Sequence, residues 1–228
     1  MTRKAFTMIE LVFVIVVIGI ITSIILPRIN RDNLYEAAQQ VVSHIKYTQH
    51  LAMIDDVYDN SDSTWYKNRW QIKFSNTNGT DNKWAYVIFS DYENKDGNPN
   101  ENEIAVNPID SSKRLTGGYS GGLIEYGDDK ASEKLNLGHN YNINDIDFSG
   151  CQIGNNNGKK RIFFDNLGRP FTNNPELLDN PFKNGGSSYL LRSQCNIELC
   201  LVNDCTLATS NEKITIIIEQ ETGYTYIL

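Results

Sequence analysis

Four groups of residues in this 228-residue chain have types and spacing that could do chemistry: Glu10, the acidic loop from Asp91 to Glu103, four cysteines and three histidines. Glu10 is the one ionisable side chain between Phe6 and Leu26. A carboxylate inside an apolar helix costs several kcal/mol unless it is neutralised, so it reads as a functional acid in need of a cationic partner. The plain alternative is a hydrated acid near an interface. The loop invites a calcium test, because hard cations are caged by acidic loops with a central glycine and a terminal glutamate. With Gly97 at the sixth position, Asn94 and Asp96 take the third and fifth and Glu103 the twelfth, but Tyr92 stands first, where a carboxylate is needed. The frame fails there, and only Asp91 could replace that ligand. An ordinary solvated turn is the expectation, with no metal and no cofactor. Cys151, Cys195, Cys200 and Cys205 include two Cys-x4-Cys spacings, which suit zinc in a reducing compartment or two disulfides in an oxidising one. His44 and His50, six residues apart on a helix, lie about 240° apart around it and cannot share a site. His139 stands in a polar stretch and is expected to be exposed. No HExxH, G-x-S-x-G or phosphate-loop motif occurs, so the chain does not read as an enzyme.

The elements that must position these residues divide the chain in two. Phe6 to Leu26 is a run of about 21 residues, about 31 Å as a helix, enough for a hydrocarbon core. Its β-branched content would favour a strand in water, but lipid forces the backbone to satisfy itself as a helix. A cleaved secretory signal would need a small-x-small site, and Ile25-Leu26-Pro27-Arg28-Ile29 lacks one. Pro27 removes an amide donor and predicts a kink. Beyond it Ala38, Val41, Val42, Ile45, Thr48, Leu51 and Ala52 recur at three- and four-residue spacing, an amphipathic helix with Gln39, Gln40, Lys46 and Gln49 on the polar face. After residue 64 the period becomes two. Strands are predicted at Trp70–Phe74, Trp84–Phe89 and Lys160–Phe164, with a hairpin of Lys213–Glu219 and Tyr224–Leu228 turning at Glu221-Thr222-Gly223. Loops rich in Asn, Gly and Asp, such as 94–102 and 154–158, separate them. The net charge of −7 disfavours nucleic acid as a partner, because phosphate contacts need a basic face.

Arg3-Lys4-Ala5-Phe6-Thr7-Met8-Ile9-Glu10-Leu11, followed by the apolar run and Pro27, resembles the leader of type IV pilins and pseudopilins. The resemblance implies that a prepilin peptidase cuts after Ala5 and N-methylates Phe6, and that Glu10 meets the new amino group, either one helical turn away in its own chain or, setting assembly register, on a neighbouring subunit. The family usually has Gly before the cut, where this chain has Ala5. Trp84-Ala-Tyr-Val-Ile-Phe-Ser-Asp91-Tyr-Glu-Asn-Lys-Asp96-Gly97, Ile162-Phe-Phe-Asp165-Asn-Leu-Gly168-Arg169-Pro170 and Ile214 to Gly223 are similar to phrases of the H-type minor pseudopilins of type II secretion.

Together these features imply an α+β, pilin-like fold: a long N-terminal helix, half transmembrane and half amphipathic, packed on an antiparallel β-sheet head. Its parts are a cleaved leader (1–5), a transmembrane helix (6–26), the amphipathic continuation (27–56) and a β-rich periplasmic head (57–228). The expected placement is a single pass of the inner membrane with a cytoplasmic N-terminus, then the pilus or pseudopilus. The implied partners are the prepilin peptidase, other pilin or pseudopilin subunits, the inner-membrane assembly platform, and membrane lipid before assembly. Loss of Arg3 and Lys4 takes the basic count from 21 to 19 against 28 acids, so the mature side chains sum to −9. An oxidising compartment favours disulfides over zinc. Three connectivities exist, and the short Leu201–Asp204 link favours Cys200–Cys205, which leaves Cys151 to meet Cys195. The alternatives are a DNA-uptake subunit in competence, an adhesin-like or carbohydrate-binding tip, and a membrane-tethered envelope enzyme.

Overall fold

The computed structural model describes residues 8–119, 124–151, 160–178 and 189–228, with the backbone but not the side chains of 22–31. Helix α1 runs Met8–Ile54. In its second half Leu34, Ala37, Ala38, Val41, Ile45, Thr48 and Ala52 are buried, at the three- and four-residue spacing that keeps side chains on one face. The helix stops where Asp55 and Asp56 would add negative charge to the negative end of its dipole. The Asp55 carboxylate is instead tied to the sheet, accepting from Trp70 Nε1 at 2.7 Å.

The described strands are β1 (Trp70–Ser75), β2 (Ala85–Ser90), β3 (Asp145–Ser149), β4 (Lys160–Phe164), β5 (Pro170–Thr172), β6 (Cys195–Cys200), β7 (Lys213–Ile218) and β8 (Thr225–Ile227), with a short helix α2 (Leu137–Tyr141) before β3. They form two four-stranded sheets, ordered β2-β1-β4-β5 and β3-β6-β7-β8, in which every pairing is antiparallel. Both sheets turn one face to α1. Ile72, Phe74, Ile88, Ile162 and Phe164 from the first, and Ile146, Ile197, Leu199, Ile216 and Ile218 from the second, join the helix stripe in one core. Gln49 ties the three layers together, its Nε2 donating to Gly168 O at 2.7 Å in the β4–β5 turn and to Thr222 O at 2.9 Å in the β7–β8 turn.

The other face of the first sheet is covered as well. Val87 and Phe89 on β2 lie under Ile104, Tyr119 and Ile124, while Phe163 and Phe171 lie under Tyr66, Leu178 and Leu190. Between these clusters β1 and β4 carry Gln71, Lys73 and Arg161, all buried.

The expected fold is corrected on two points. Two antiparallel sheets replace the single sheet, because β3 and β6, each with alternating inward side chains, form a second face that α1 covers. The long apolar, half-transmembrane helix is not found either: the described apolar stretch is 8–21, about 21 Å against a hydrocarbon core of about 30 Å. Among the described residues no helix is long and apolar enough to cross a membrane, and this overturns the single-pass inner-membrane placement. The predicted kink at Pro27 concerns a side chain outside the described residues, as does the loop 154–158.

Candidate functional site

The first half of α1 stands apart from the head. Between Met8 and Ile21 the large apolar side chains are 42–87 % exposed, apart from the partly covered Val17. A helix that is apolar all round is ordinarily buried, so this stem is a surface in need of a cover. Glu10 lies exposed in its first turn, where the positive end of the helix dipole favours a carboxylate. Ala5 and Phe6, the residues of cleavage and methylation, lie outside the described residues.

The loop after β2 is built differently from a solvated turn. Asp91 and Glu103 are buried, while Asn94 and Asp96 are exposed. Each carboxylate is turned to the loop's own polar groups rather than to a shared centre. Asp91 Oδ2 accepts from Gly97 N at 2.6 Å, and Glu103 accepts from the Glu93 and Asn100 amides, both at 2.7 Å. Asp96 accepts from Asn98 N and Asn94 Nδ2. Burial pushes the Asp91 carboxyl up to about 6, a shift partly offset by the Gly97 amide, and burial raises Glu103 too.

Beneath this loop lie cations. Lys73 on β1 and Arg161 on β4 are direct cross-strand partners, a placement that like charges normally avoid. Both donate to the carbonyl oxygen of Gly97, at 3.3 and 2.9 Å. Lys73 also reaches Asn98 Oδ1 at 3.0 Å and Tyr119 Oη at 2.9 Å, and Arg161 reaches Gln71 Oε1 at 2.7 Å and Asn174 Oδ1 at 3.1 Å. Burial lowers Arg161 to about 10, a value at which it is still charged at neutral pH. The loop is thus held by two side-chain cations placed under it, where the sequence suggests at most a metal. Gly97 is required there: its φ is +78° and a Cβ would lie 2.5 Å from Asn174 Nδ2. The signal in the sequence is the pair Gln71 and Lys73, whose alternation with Trp70, Ile72 and Phe74 reads as an exposed face.

The cysteines pair as Cys151–Cys195 and Cys200–Cys205. Glu198, Cys200 and Cys205 are the one group of potential metal ligands drawn together among the described residues, and its two sulfurs are already bonded to each other. His44 Nδ1 lies 2.6 Å from Tyr86 Oη, and burial lowers its pKa to about 4. His139 is exposed but not isolated, since its ring stacks on Tyr126 at 4.2 Å and its Nε2 lies 3.0 Å from Asp81 Oδ2. No family model, no curated protein and no solved structure matches the chain.

Proposed function

We propose that the chain is a minor subunit of a pilin-like filament, a type IV pilus or a type II secretion pseudopilus, cleaved after Ala5 and N-methylated on Phe6 by a prepilin peptidase. The observation that carries this reading is a basic leader and Glu10 standing at the head of a helical stem whose apolar side chains lie exposed. Burial among equivalent stems of other subunits would stabilise the assembly by roughly 1.5–3 kcal/mol for each large side chain fully covered. Apolar burial alone sets no register. Glu10 supplies one, because a carboxylate inside such a bundle is tolerable only opposite a cation, and the Phe6 amino group of the adjacent subunit provides it. Breaking a buried pair of this kind by removing one partner costs about 3–5 kcal/mol. Two disulfides fit a head exposed to an oxidising compartment. In this reading the chain is the substrate of an enzyme, and its other partners are further pilin or pseudopilin subunits.

Co-expression with a prepilin peptidase, followed by N-terminal mass spectrometry, tests the processing step. The expected product begins with N-methyl-Phe6, and Ala5→Gly should increase its yield. An unprocessed chain in both cases would overturn the reading. For the register step, Glu10→Ala should give a folded, processed protein that is left out of filaments, and normal incorporation would refute the role of the acid.

A further inference from the structure

A cleft of about 620 Å³ opens at the end of α1 remote from the stem, walled by the segment 55–59, the start of β1, the residues after β2 and the stretch 102–106. That volume falls within the roughly 300–1,000 Å³ usual for ligand pockets. The 33 helical residues from 22 to 54 put about 50 Å of α1 between the cleft and the stem, so covering the stem leaves the cleft open.

Its lining combines aromatic surface with hydrogen-bonding groups. Tyr58 and Tyr92 are 60 % and 47 % exposed, so neither is spent on the core. Trp70 lies half-buried in the same cleft, fixed by its bond to Asp55 Oδ2, and Tyr58 is steadied by an edge contact with Trp65 at 5.2 Å. Arg114 is anchored by donating from Nη1 to Ile104 O at 3.0 Å. Asp56 and Asn102 add acceptor and amide groups to the rim. Tyrosine and tryptophan offer broad, rigid, amphipathic contact area at little conformational cost. The carboxylates of Asp55, Asp56, Asp59 and Glu103 outnumber Arg114, which turns anions away.

We infer that this cleft binds a non-acidic oligosaccharide. A sugar ring has what the lining asks for: an apolar C–H face to lie on an aromatic ring, and hydroxyls that donate to carboxylates and accept from an amide or a guanidinium. Phosphate-rich and acidic ligands meet the wrong charge. A purely apolar ligand would strip water from the remaining hydrogen-bonding atoms of Asp56, Asn102 and Arg114 without replacing it, at a desolvation cost. The site does not depend on leader processing.

The test uses the full chain in an uncharged detergent that contains no sugar. Trisaccharides of β-1,4-glucose, β-1,4-N-acetylglucosamine, α-mannose and β-galactose are titrated by tryptophan fluorescence and saturation-transfer NMR, beside trigalacturonate and trilysine. Saturable binding of at least one neutral sugar is expected, with trigalacturonate at least tenfold weaker. Tyr58→Ala and Tyr92→Ala should each weaken binding about tenfold with the thermal midpoint unchanged, and Asp56→Asn should weaken it severalfold. Binding of trilysine alone, no binding by any neutral sugar, or sugar binding undiminished in the Tyr58→Ala/Tyr92→Ala double variant would each overturn the inference.

Discussion

Lys73 and Arg161 face each other across β1 and β4, and what makes that tolerable is the Gly97 carbonyl they share and the separate amide oxygens each reaches, Asn98 for Lys73 and Gln71 and Asn174 for Arg161, with Asp91 nearby. Arg161→Met would strand Gln71 Oε1 in the interior and take the charged donor from Asn174 Oδ1 and Gly97 O, so it should cost about 1–3 kcal/mol in urea unfolding and open the 91–103 loop to proteolysis. A chelator should leave the thermal midpoint of the parent unchanged; a drop of several degrees would mean that a metal and not these side chains holds the loop. Two buried titrating groups give a second prediction, with opposite signs. Asp91, raised to about 6, holds its proton more tightly in the fold, so its contribution is full below its ordinary value near 3.8 and is lost as pH rises through about 6. Glu103, raised by burial as well, acts in the same sense. His44, lowered from 6.5 to about 4, contributes above 6.5 and loses that contribution as pH falls through about 4. The Asp91 and His44 shifts are opposite in sign, so the two contributions oppose each other between pH 4 and 6. Asp91→Asn should therefore gain stability with rising pH across that window relative to the parent, and His44→Gln should lose it. Urea unfolding at pH 4.5, 5.5 and 6.5 reads both, and parallel profiles for all three proteins would refute the assignment.

Among the elements, the two disulfides differ in the chain they close, with sequence separations of 44 and 5 residues. In the chain-entropy model these correspond to about 4 and about 2 kcal/mol. The Cys151→Ala/Cys195→Ala protein should thus unfold at distinctly lower urea than the Cys200→Ala/Cys205→Ala protein, and the reverse order would mean that strain or packing outweighs loop closure. How far these elements can be read in advance depends on whether burial follows a local period. The α1 stripe and β1, β2, β4, β7 and β8 announce themselves by spacing, because each sets apolar side chains at regular intervals. The strands β3, β5 and β6 are harder to read: Asp145-Ile-Asp-Phe-Ser and Cys195-Asn-Ile-Glu-Leu-Cys do alternate, but over only two or three apolar positions set among Asn and Asp, and β5 begins on a proline. With them the second sheet escapes the sequence. Gln40 and Gln49 fall on the polar face of α1 by spacing, yet Gln40 donates to Tyr86 Oη at 2.8 Å and Gln49 clamps both sheets. The site divides the same way. Glu10 is legible because one acid in an apolar run is a local anomaly. The Lys73–Arg161 pair brings together residues 88 positions apart in sequence, and only the β1–β4 register reveals it.

For the molecule as a whole, the decisive contrast is between an apolar stem and an acidic head on one chain of net charge −7. Stem burial draws copies together through a force that salt does not weaken, whereas the heads repel through charges that salt screens. The screening length falls from about 10 Å at 0.1 M to about 3 Å at 1 M, so the balance moves toward association as ionic strength rises. Light scattering of the full chain in a fixed low level of detergent should therefore increase between 0.05 and 0.5 M salt. A chain starting at Asp32 should stay monomeric throughout, since every residue of the three apolar clusters lies at position 34 or beyond and its core is untouched. Substituting Ile15 and Ile18 together by Asn should bring the full chain close to the truncated one, because both are more than half exposed on the stem and lie outside those clusters. Association that weakened with salt would place the contact on ion pairs between heads. Association that survived truncation would place it on the head surface. Either result would remove the stem from the centre of the assembly argument and take the proposed pairing of Glu10 with Phe6 along with it.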